Sequence, residues 1–443
     1  MSRNKVQGMV AASILLLLAV SVILPLILPN AEILSLFYQG ITPSIKMDIV
    51  FIGEHRNQVC YGKGGLKLTC LTFDDPGGSD VALGDFNEDG RQDILVVDIV
   101  RGHRLCLNLE DTFQCNTLFP EKVQPEPETE PDPETKKENR LKNDVRAAVA
   151  DLNHDQNLDI VFANLLNPNT ICLGDGQANF SCTDMPEDIE SSFHVTLDDF
   201  DEDGNIDAIF STIGFQSLIC LGNGTGQLDC KDSEFTSDHC LSLEFIICLD
   251  DEPIYVSIGN AVGDINNDGL KDILGISVQV TSCLNQQETF HCNLILSEWA
   301  TFEELGKARS IALEDFNQDD HLDAVFSRIY WENSELGRQN GKGFPGYNKI
   351  CLGDGKGSFS CDDVSEVNNH SHDLAVGDLN SDGRLDVVFG NQRVSARFSD
   401  VVEEDQVCFG KGDGTFVCIT LRTSAWANAV AIGELGEPKG SER

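Results

Sequence analysis

Apolar residues along most of this chain come in short runs, such as VALG at 81–84, ILVV at 94–97, IVFA at 160–163 and VVFG at 387–390. Runs this short, bounded by Gly, Asn and Asp, fit strands rather than helices. Between the first two runs lies DFNEDGRQD, and the same arrangement returns. The pattern D-x-[DN]-x-D-x-x-x-D starts at Asp85, Asp151, Asp199, Asp264, Asp315 and Asp378. Each copy has an apolar run before it and another after it, followed by two further short runs around a glycine turn. The unit is therefore strand, acidic loop, strand, strand, glycine turn, strand. Four strands repeating about every 50 residues predict the blades of a β-propeller, an all-β fold.

A seventh unit is split between the ends of the repeat region. MDIVFIG at 47–53 resembles LDIVFAN at 158–164, so 47–70 reads as the second half of a unit. AVAIGELGEPKG at 429–440 reads as a first half, with Glu434 in place of the first aspartate. One C-terminal strand joining three N-terminal ones closes a seven-bladed ring and removes two open strand edges. The propeller is expected over residues 45–443.

One apolar run is different in kind. Residues 9–28 are almost wholly apolar, with Arg3 and Lys5 before them and Glu32 after. At about 1.5 Å per residue the run is long enough to cross a bilayer as a helix. Residues 1–30 read as a membrane-targeting segment. An uncleaved signal anchor is favoured over a cleaved signal peptide, because Pro29, Asn30 and Ala31 make a poor cleavage site. The charge bias puts everything beyond residue 30 outside the cytoplasm.

Cysteine usage agrees with export. The sixteen cysteines fall into neighbouring pairs: Cys60 and Cys70, Cys106 and Cys115, Cys172 and Cys182, Cys220 and Cys230, Cys240 and Cys248, Cys283 and Cys292, Cys351 and Cys361, Cys408 and Cys418. Metal-binding C-x-x-C spacing is absent, so disulfides that close hairpins are expected.

Charge narrows the partners. Seventy-three acidic against 31 basic residues leave a formal net charge of -42, which disfavours nucleic acid and anionic membrane surfaces and favours cations.

The apolar-G-D-x-[ND]-x-D-G-x-x-D units resemble the FG-GAP and VCBS repeats of integrin α-subunit propellers and many secreted proteins. The resemblance spans nearly all of 45–440 and implies Ca²⁺ in the connection between the first and second strands of a blade. Calcium takes six to eight hard oxygen ligands, which alternate loop residues and a backbone carbonyl can supply. In the first loop these are Asp85, Asn87, Asp89, the carbonyl of Arg91, and Asp93. The corresponding sets are Asp151, Asn153, Asp155, Asn157 and Asp159; Asp199, Asp201, Asp203, Asn205 and Asp207; and Asp264, Asn266, Asp268, Leu270 and Asp272. The last two are Asp315, Asn317, Asp319, His321 and Asp323, and Asp378, Asn380, Asp382, Arg384 and Asp386. Glycine at the sixth loop position allows a positive φ, but Gln156 and Asp320 replace it in two loops. The seventh loop has Gly436 and Pro438 at ligand positions and is assigned no metal.

Three insertions interrupt the period, at 120–143, 233–260 and 327–349. The first is proline-rich and charged, the second contains Cys240 and Cys248, and the third carries Tyr330, Trp331, Phe344 and Tyr347. Sequons occur at Asn179, Asn223 and Asn369. No H-E-x-x-H, G-x-S-x-G or P-loop occurs, so enzyme chemistry has little support. The expected function is recognition or adhesion towards an extracellular protein or glycan, by a calcium-binding propeller that is membrane-anchored or secreted. A polysaccharide-lyase-like enzyme and a structural surface scaffold are the alternatives.

Overall fold

The computed structural model describes residues 44–436 apart from short loop stretches and the segments 119–145, 237–247, 254–258, 296–307, 329–346 and 393–403. Seven four-stranded antiparallel blades form a ring, and no helix occurs among the described residues. In blade 2 the strands run inner to outer as Asp80–Gly84, Asp93–Val97, Arg104–Asn108 and Phe113–Thr117. The inner strands of the following blades are Arg146–Ala150, Ser192–Asp198, Gly259–Gly263, Ala308–Glu314 and Ser371–Gly377. Each packs beside the next around a central channel.

Blade 1 closes the ring as the split repeat predicts. Its inner strand is Ala427–Gly433, which pairs antiparallel with Asp48–Gly53, the first of three strands from the other end of the chain. Ala427–Gly433 then packs against the inner strands of blades 2 and 7, so the circle has no gap.

The core lies between blades. Second strands are buried apart from the half-buried Gly275: Ile94, Leu95, Val96 and Val97 are fully enclosed, and each residue of Asp386–Asn391 is buried. This follows from the sequence, since a strand covered on both faces needs a continuous apolar run rather than an alternating one. The second residue of each acidic loop is also apolar and fills the seam to the next blade. Phe86 meets Phe180, Phe200 meets Phe290 and Phe316 meets Phe416, with ring centroids 6.1, 5.7 and 5.8 Å apart. Burying one such side chain contributes about 2 to 3 kcal/mol.

Seven of the eight expected disulfides form, from Cys60–Cys70 to Cys408–Cys418. Every bridge joins directly opposed residues of a blade's third and fourth strands. Of the eighth pair, Cys240 lies outside the described residues, and Cys248 begins the two-residue strand Cys248–Leu249. Seven bridges favour an extracellular or secreted protein. Residues 1–43 also lie outside the described residues; among those described, no helix is long and apolar enough to cross a membrane.

Antiparallel pairing puts the acidic loops and the cysteine-hairpin turns on one face of the ring. Connections between second and third strands, and between successive blades, fall on the other. The strands bracketing 119–145, 296–307, 329–346 and 393–403 all end at that second face. The insertions are narrower than the sequence implies, because blade strands claim their ends: Asn260 belongs to Gly259–Gly263, Arg328 to Asp323–Arg328, and Lys349 to Lys349–Gly353. Within 233–260, Phe235–Thr236 adds a fifth, parallel strand to blade 5.

Candidate metal centre

Each acidic loop leaves the inner strand of blades 2 to 7 and returns as the second strand, and its last aspartate is that strand's first residue. The six sets of expected ligands therefore sit in six equivalent places. The first aspartate turns its carboxylate back over the loop. Asp85 Oδ2 accepts from Gly90 N at 2.7 Å, and the same bond recurs from Gln156, Gly204, Gly269, Asp320 and Gly383 at 2.8 to 3.0 Å. The fifth residue accepts from the backbone of the seventh, as Asp89 does from Arg91 at 3.0 Å and Asp203 from Asn205 at 2.8 Å.

These bonds require tight backbone. The sixth residue takes φ of 81 to 91° at Gly90, Gly204, Gly269 and Gly383, and Gln156 and Asp320 adopt 72° and 65° without being glycine. The fourth residue is also left-handed in all six loops, from Glu88 at 55° to Gln318 at 62°. That second strained position has no sequence signature, because Glu, His, Asn, Gln and Ser all occupy it.

The last aspartate is buried in every loop and accepts backbone N–H groups on both oxygens. Asp93 takes Phe86 N at 3.1 Å and Asn108 N at 2.8 Å; Asp386 takes Leu379 N at 3.0 Å and Gly410 N at 2.9 Å. It thus clasps the loop to the third strand. Burial pushes the carboxyls of Asp93, Asp272 and Asp323 up to about 6 and that of Asp386 up to about 7, against the pull of these N–H donors. Asp159 and Asp207 move the same way for the same reason. A cation in the loop would act in the opposite sense and hold them charged.

Asp48 occupies this position in blade 1, a role the sequence reading missed. Its Oδ1 accepts from Gly62 N and its Oδ2 from Leu435 N and Gly436 N, all at 3.0 Å. The clasp therefore persists where the other loop acids are absent. The signal was available in the match of 47–53 to 158–164.

The loops differ at the third residue. In four of the five loops where it is Asn, its amide donates to the fifth-position carboxylate: Asn87 to Asp89, Asn153 to Asp155, Asn266 to Asp268 and Asn317 to Asp319, at 2.8 to 3.1 Å, whereas both amide atoms of Asn380 are buried without a hydrogen-bond partner. Asp201 has no proton to give. In that loop Asp199 Oδ1 is buried without a hydrogen-bond partner, and Asp199, Asp201 and Asp207 bring carboxylate oxygens within 4.8 Å of one another. Three converging carboxylates with one orphaned oxygen fit a hard dication. The only other such grouping among the described residues, Asp74 with Cys106 and Cys115, is no metal site, because its sulfurs are bridged to each other.

Two loops carry an internal counter-ion that sequence reasoning did not foresee. The Arg91 guanidinium bonds Asp89 Oδ2, and Arg384 Nη2 donates to Asp382 Oδ2 at 2.6 Å. Neighbouring loops also touch. His154 Nε2 donates to Asn205 Oδ1 at 2.9 Å, Asn267 Nδ2 to His321 Nδ1 at 2.8 Å, and Gln318 Nε2 to the Gly383 carbonyl at 2.9 Å.

No protein-family model and no curated protein matches the chain. Solved structures with a similar course of the chain include BBS1N in complex with ARL6DN, at 8% identity and a TM-score of 0.41 over 81% of this chain and 93% of that one. A mutant of AofleA from Arthrobotrys oligospora matches at 11% identity and a TM-score of 0.38, over 73% and 87%. The V. cholerae biofilm matrix protein Bap1 matches at 12% and 0.32, over 88% and 64%.

Proposed function

We propose that this chain is an FG-GAP/VCBS-type propeller that binds Ca²⁺ in its six acidic loops and acts outside the cytoplasm as a recognition or adhesion module for a protein or glycan. In this reading residues 1–30 tether it to a membrane as a signal anchor. The observation that carries the metal assignment is the loop at Asp199, where an orphaned carboxylate oxygen faces two more carboxylates. Calcium bound there supplies positive charge among acids that otherwise repel. The chain's own residues hold the loop for it: the sixth-position N–H fixes the first aspartate, and the clasping aspartate fixes the loop to its blade.

The division of labour between faces supports the recognition half. One face is committed to acidic loops and tight turns, whereas the strand ends that bracket the long insertions lie on the other. Surface loops on a rigid scaffold are where binding residues concentrate.

The test is isothermal calorimetry of the full-length chain, stripped with chelator and titrated with calcium, alongside thermal melts in calcium and in excess chelator. Heat of binding and a melting temperature several degrees higher with calcium are expected, since an ion that binds only the folded state stabilises it. Identical melts and no heat would sink the metal assignment.

A further inference from the structure

The hairpin turns that the cysteine bridges close are built alike in blades 3, 4 and 6, and one of them carries more than its turn needs. Each opens on a side chain whose Oδ1 accepts the backbone N–H two residues on: Asp175 from Gln177 at 2.8 Å, Asn223 from Thr225 at 2.9 Å and Asp354 from Lys356 at 2.9 Å. The same three residues donate their own N–H to the carbonyls of Asn179, Gln227 and Ser358. The turn therefore asks for an acceptor at its first position, which a carboxylate supplies in blades 3 and 6. Blade 4 has asparagine instead. Its Oδ1 does the work of the carboxylate, and its amide nitrogen is surplus to the turn, bonding Gln227 Oε1 at a long 3.4 Å.

That surplus nitrogen belongs to the sequon Asn223, Gly224 and Thr225. Thr225 donates its hydroxyl to Asn223 Oδ1 at 2.6 Å, and both residues are exposed at the tip of the hairpin. The tip is firmly placed: Gly224 and Gly226 take φ of 68° and 79°, and Gly226 N donates to the Leu152 carbonyl of blade 3 at 3.1 Å. The other two sequons lack this combination. Asn179 Nδ2 is held by Asp175 Oδ2 at 2.9 Å, and the residue between it and Ser181 is Phe180, packed on Phe86 in the blade seam. At the third sequon Asn369 lies outside the described residues, and the hydroxyl of Ser371 is buried, accepting from Asn348 and donating to Asn391.

We propose that Asn223 is an acceptor for an N-linked glycan. The step is a group transfer from a lipid-diphosphate-linked oligosaccharide, carried out by a membrane-bound transferase of the secretory pathway that reads the Thr225 hydroxyl. Asn223 Nδ2 bonds to the anomeric carbon of the sugar, the bond from that carbon to the diphosphate oxygen breaks, its electron pair leaves with the lipid diphosphate, and the amide gives up one proton. The proposal rests on the chain's passage out of the cytoplasm, which the seven bridges favour, and not on calcium. Whichever comes first, bridge or sugar, the folded turn accommodates the product, because Asn223 is exposed and its Oδ1 keeps both donors. The glycan then stands on the acidic-loop face, where the blade 4 hairpin meets Asn205 and His154, and leaves the insertion-bearing face open for recognition.

The experiment expresses the full-length chain in cultured animal cells and maps each sequon peptide by mass spectrometry, before and after an amidase that cleaves glycans from asparagine. Alkylation in parallel reads the state of the cysteines. The peptide containing Asn223 is expected to carry a glycan that the amidase removes. Asn223→Asp should lose that glycan and keep the turn, since aspartate serves it in blades 3 and 6, and its melting temperature should match that of the amidase-treated wild type. Thr225→Ala, which keeps the amide and removes the hydroxyl, should lose the glycan too, whereas Thr225→Ser should retain it. An unmodified Asn223 on a chain whose cysteines are bridged overturns the acceptor assignment alone; an unmodified Asn223 with reduced cysteines overturns it together with the exported reading. Sugar on Asn179 with none on Asn223, or a glycan on the Asn223 peptide that survives T225A, also overturns it.

Discussion

An aspartate that accepts two or three backbone N–H groups inside a protein is worth more to stability than its charge implies. Asp48 shows the effect without a metal loop to confuse it. Asp48→Ala leaves the N–H groups of Gly62, Leu435 and Gly436 without their acceptor, and should cost about 3 kcal/mol. Denaturant unfolding checks this, and the loss should be equal in calcium and in chelator. Asp199→Asn makes the contrast, because it should cost stability only when calcium is present. His103 sets a pH dependence of its own. Its Nδ1 accepts from Asp98 N at 3.1 Å and its ring stacks on Phe162 at 4.4 Å, while burial pushes it down to about 4. The folded pKa lies below the unfolded one, so the unfolded chain takes up the proton first. The stabilisation from a neutral His103 is complete above about pH 6.5 and is lost as pH falls towards 4, on the order of 3 kcal/mol. His103→Gln should flatten the wild-type stability profile between pH 6.5 and 4, and parallel profiles would refute it. The acids at alternate loop positions were legible in the sequence because their spacing repeats. Asp48 escaped because its loop lacks the other acids, and the Arg91 and Arg384 counter-ions escaped because side-chain direction leaves no mark in spacing.

At the scale of elements, the six loops share a frame and differ in how much repulsion each must hold. The loop at Asp199 has four acids, no amide at its third position and an orphaned oxygen, so it should be the last to empty as calcium is withdrawn. Those at Asp85 and Asp378 already neutralise their fifth-position acid with an arginine and should empty sooner. Anomalous scattering from crystals soaked at stepped calcium concentrations measures this order, and higher occupancy at Asp85 than at Asp199 would reverse it. Gln156 holds φ at 72°, where a Cβ costs about 1 kcal/mol or more, and the glycines at the equivalent position meet nothing that constrains them. Gln156→Gly should therefore raise stability by about 1 kcal/mol in thermal or urea unfolding. The four-strand unit and its bridged hairpin were readable in advance, since period, apolar runs and paired cysteines all agree. The added strand Phe235–Thr236 was not: two residues paired in parallel leave no period to find.

For the whole molecule, charge and closure dominate. Six bound dications would cancel twelve of the 42 net negative charges and leave -30, so the metal-free ring should be the more sensitive to low salt. Closure rests on one strand. Removing residues 427–443 bares the edge of Asp48–Gly53 and takes away the Leu435 and Gly436 donors to Asp48. That truncation should aggregate or unfold, whereas removing 121–142 should leave the melting temperature nearly unchanged. A truncated chain that stays monomeric and equally stable would show that the ends do not hold the ring. Ring number and closure were legible because the two half-units complement each other. The Arg146 bridge from Asp80 to Asp373 was not, because the three meet only after the ring has formed.

The joined ends also impose a timetable on manufacture. Asp48 and its partner Leu435 are 387 residues apart, so on a ribosome the first three strands emerge long before the strand that completes their sheet. The cysteine hairpins need no such wait, for each bridge spans only 9 or 10 residues and can oxidise as its own blade appears. A nascent chain should thus carry finished hairpins and an unfinished circle until the strand Ala427–Gly433 has emerged. That interval is when an open strand edge is offered to chaperones, and a premature stop anywhere before residue 427 would make the exposure permanent.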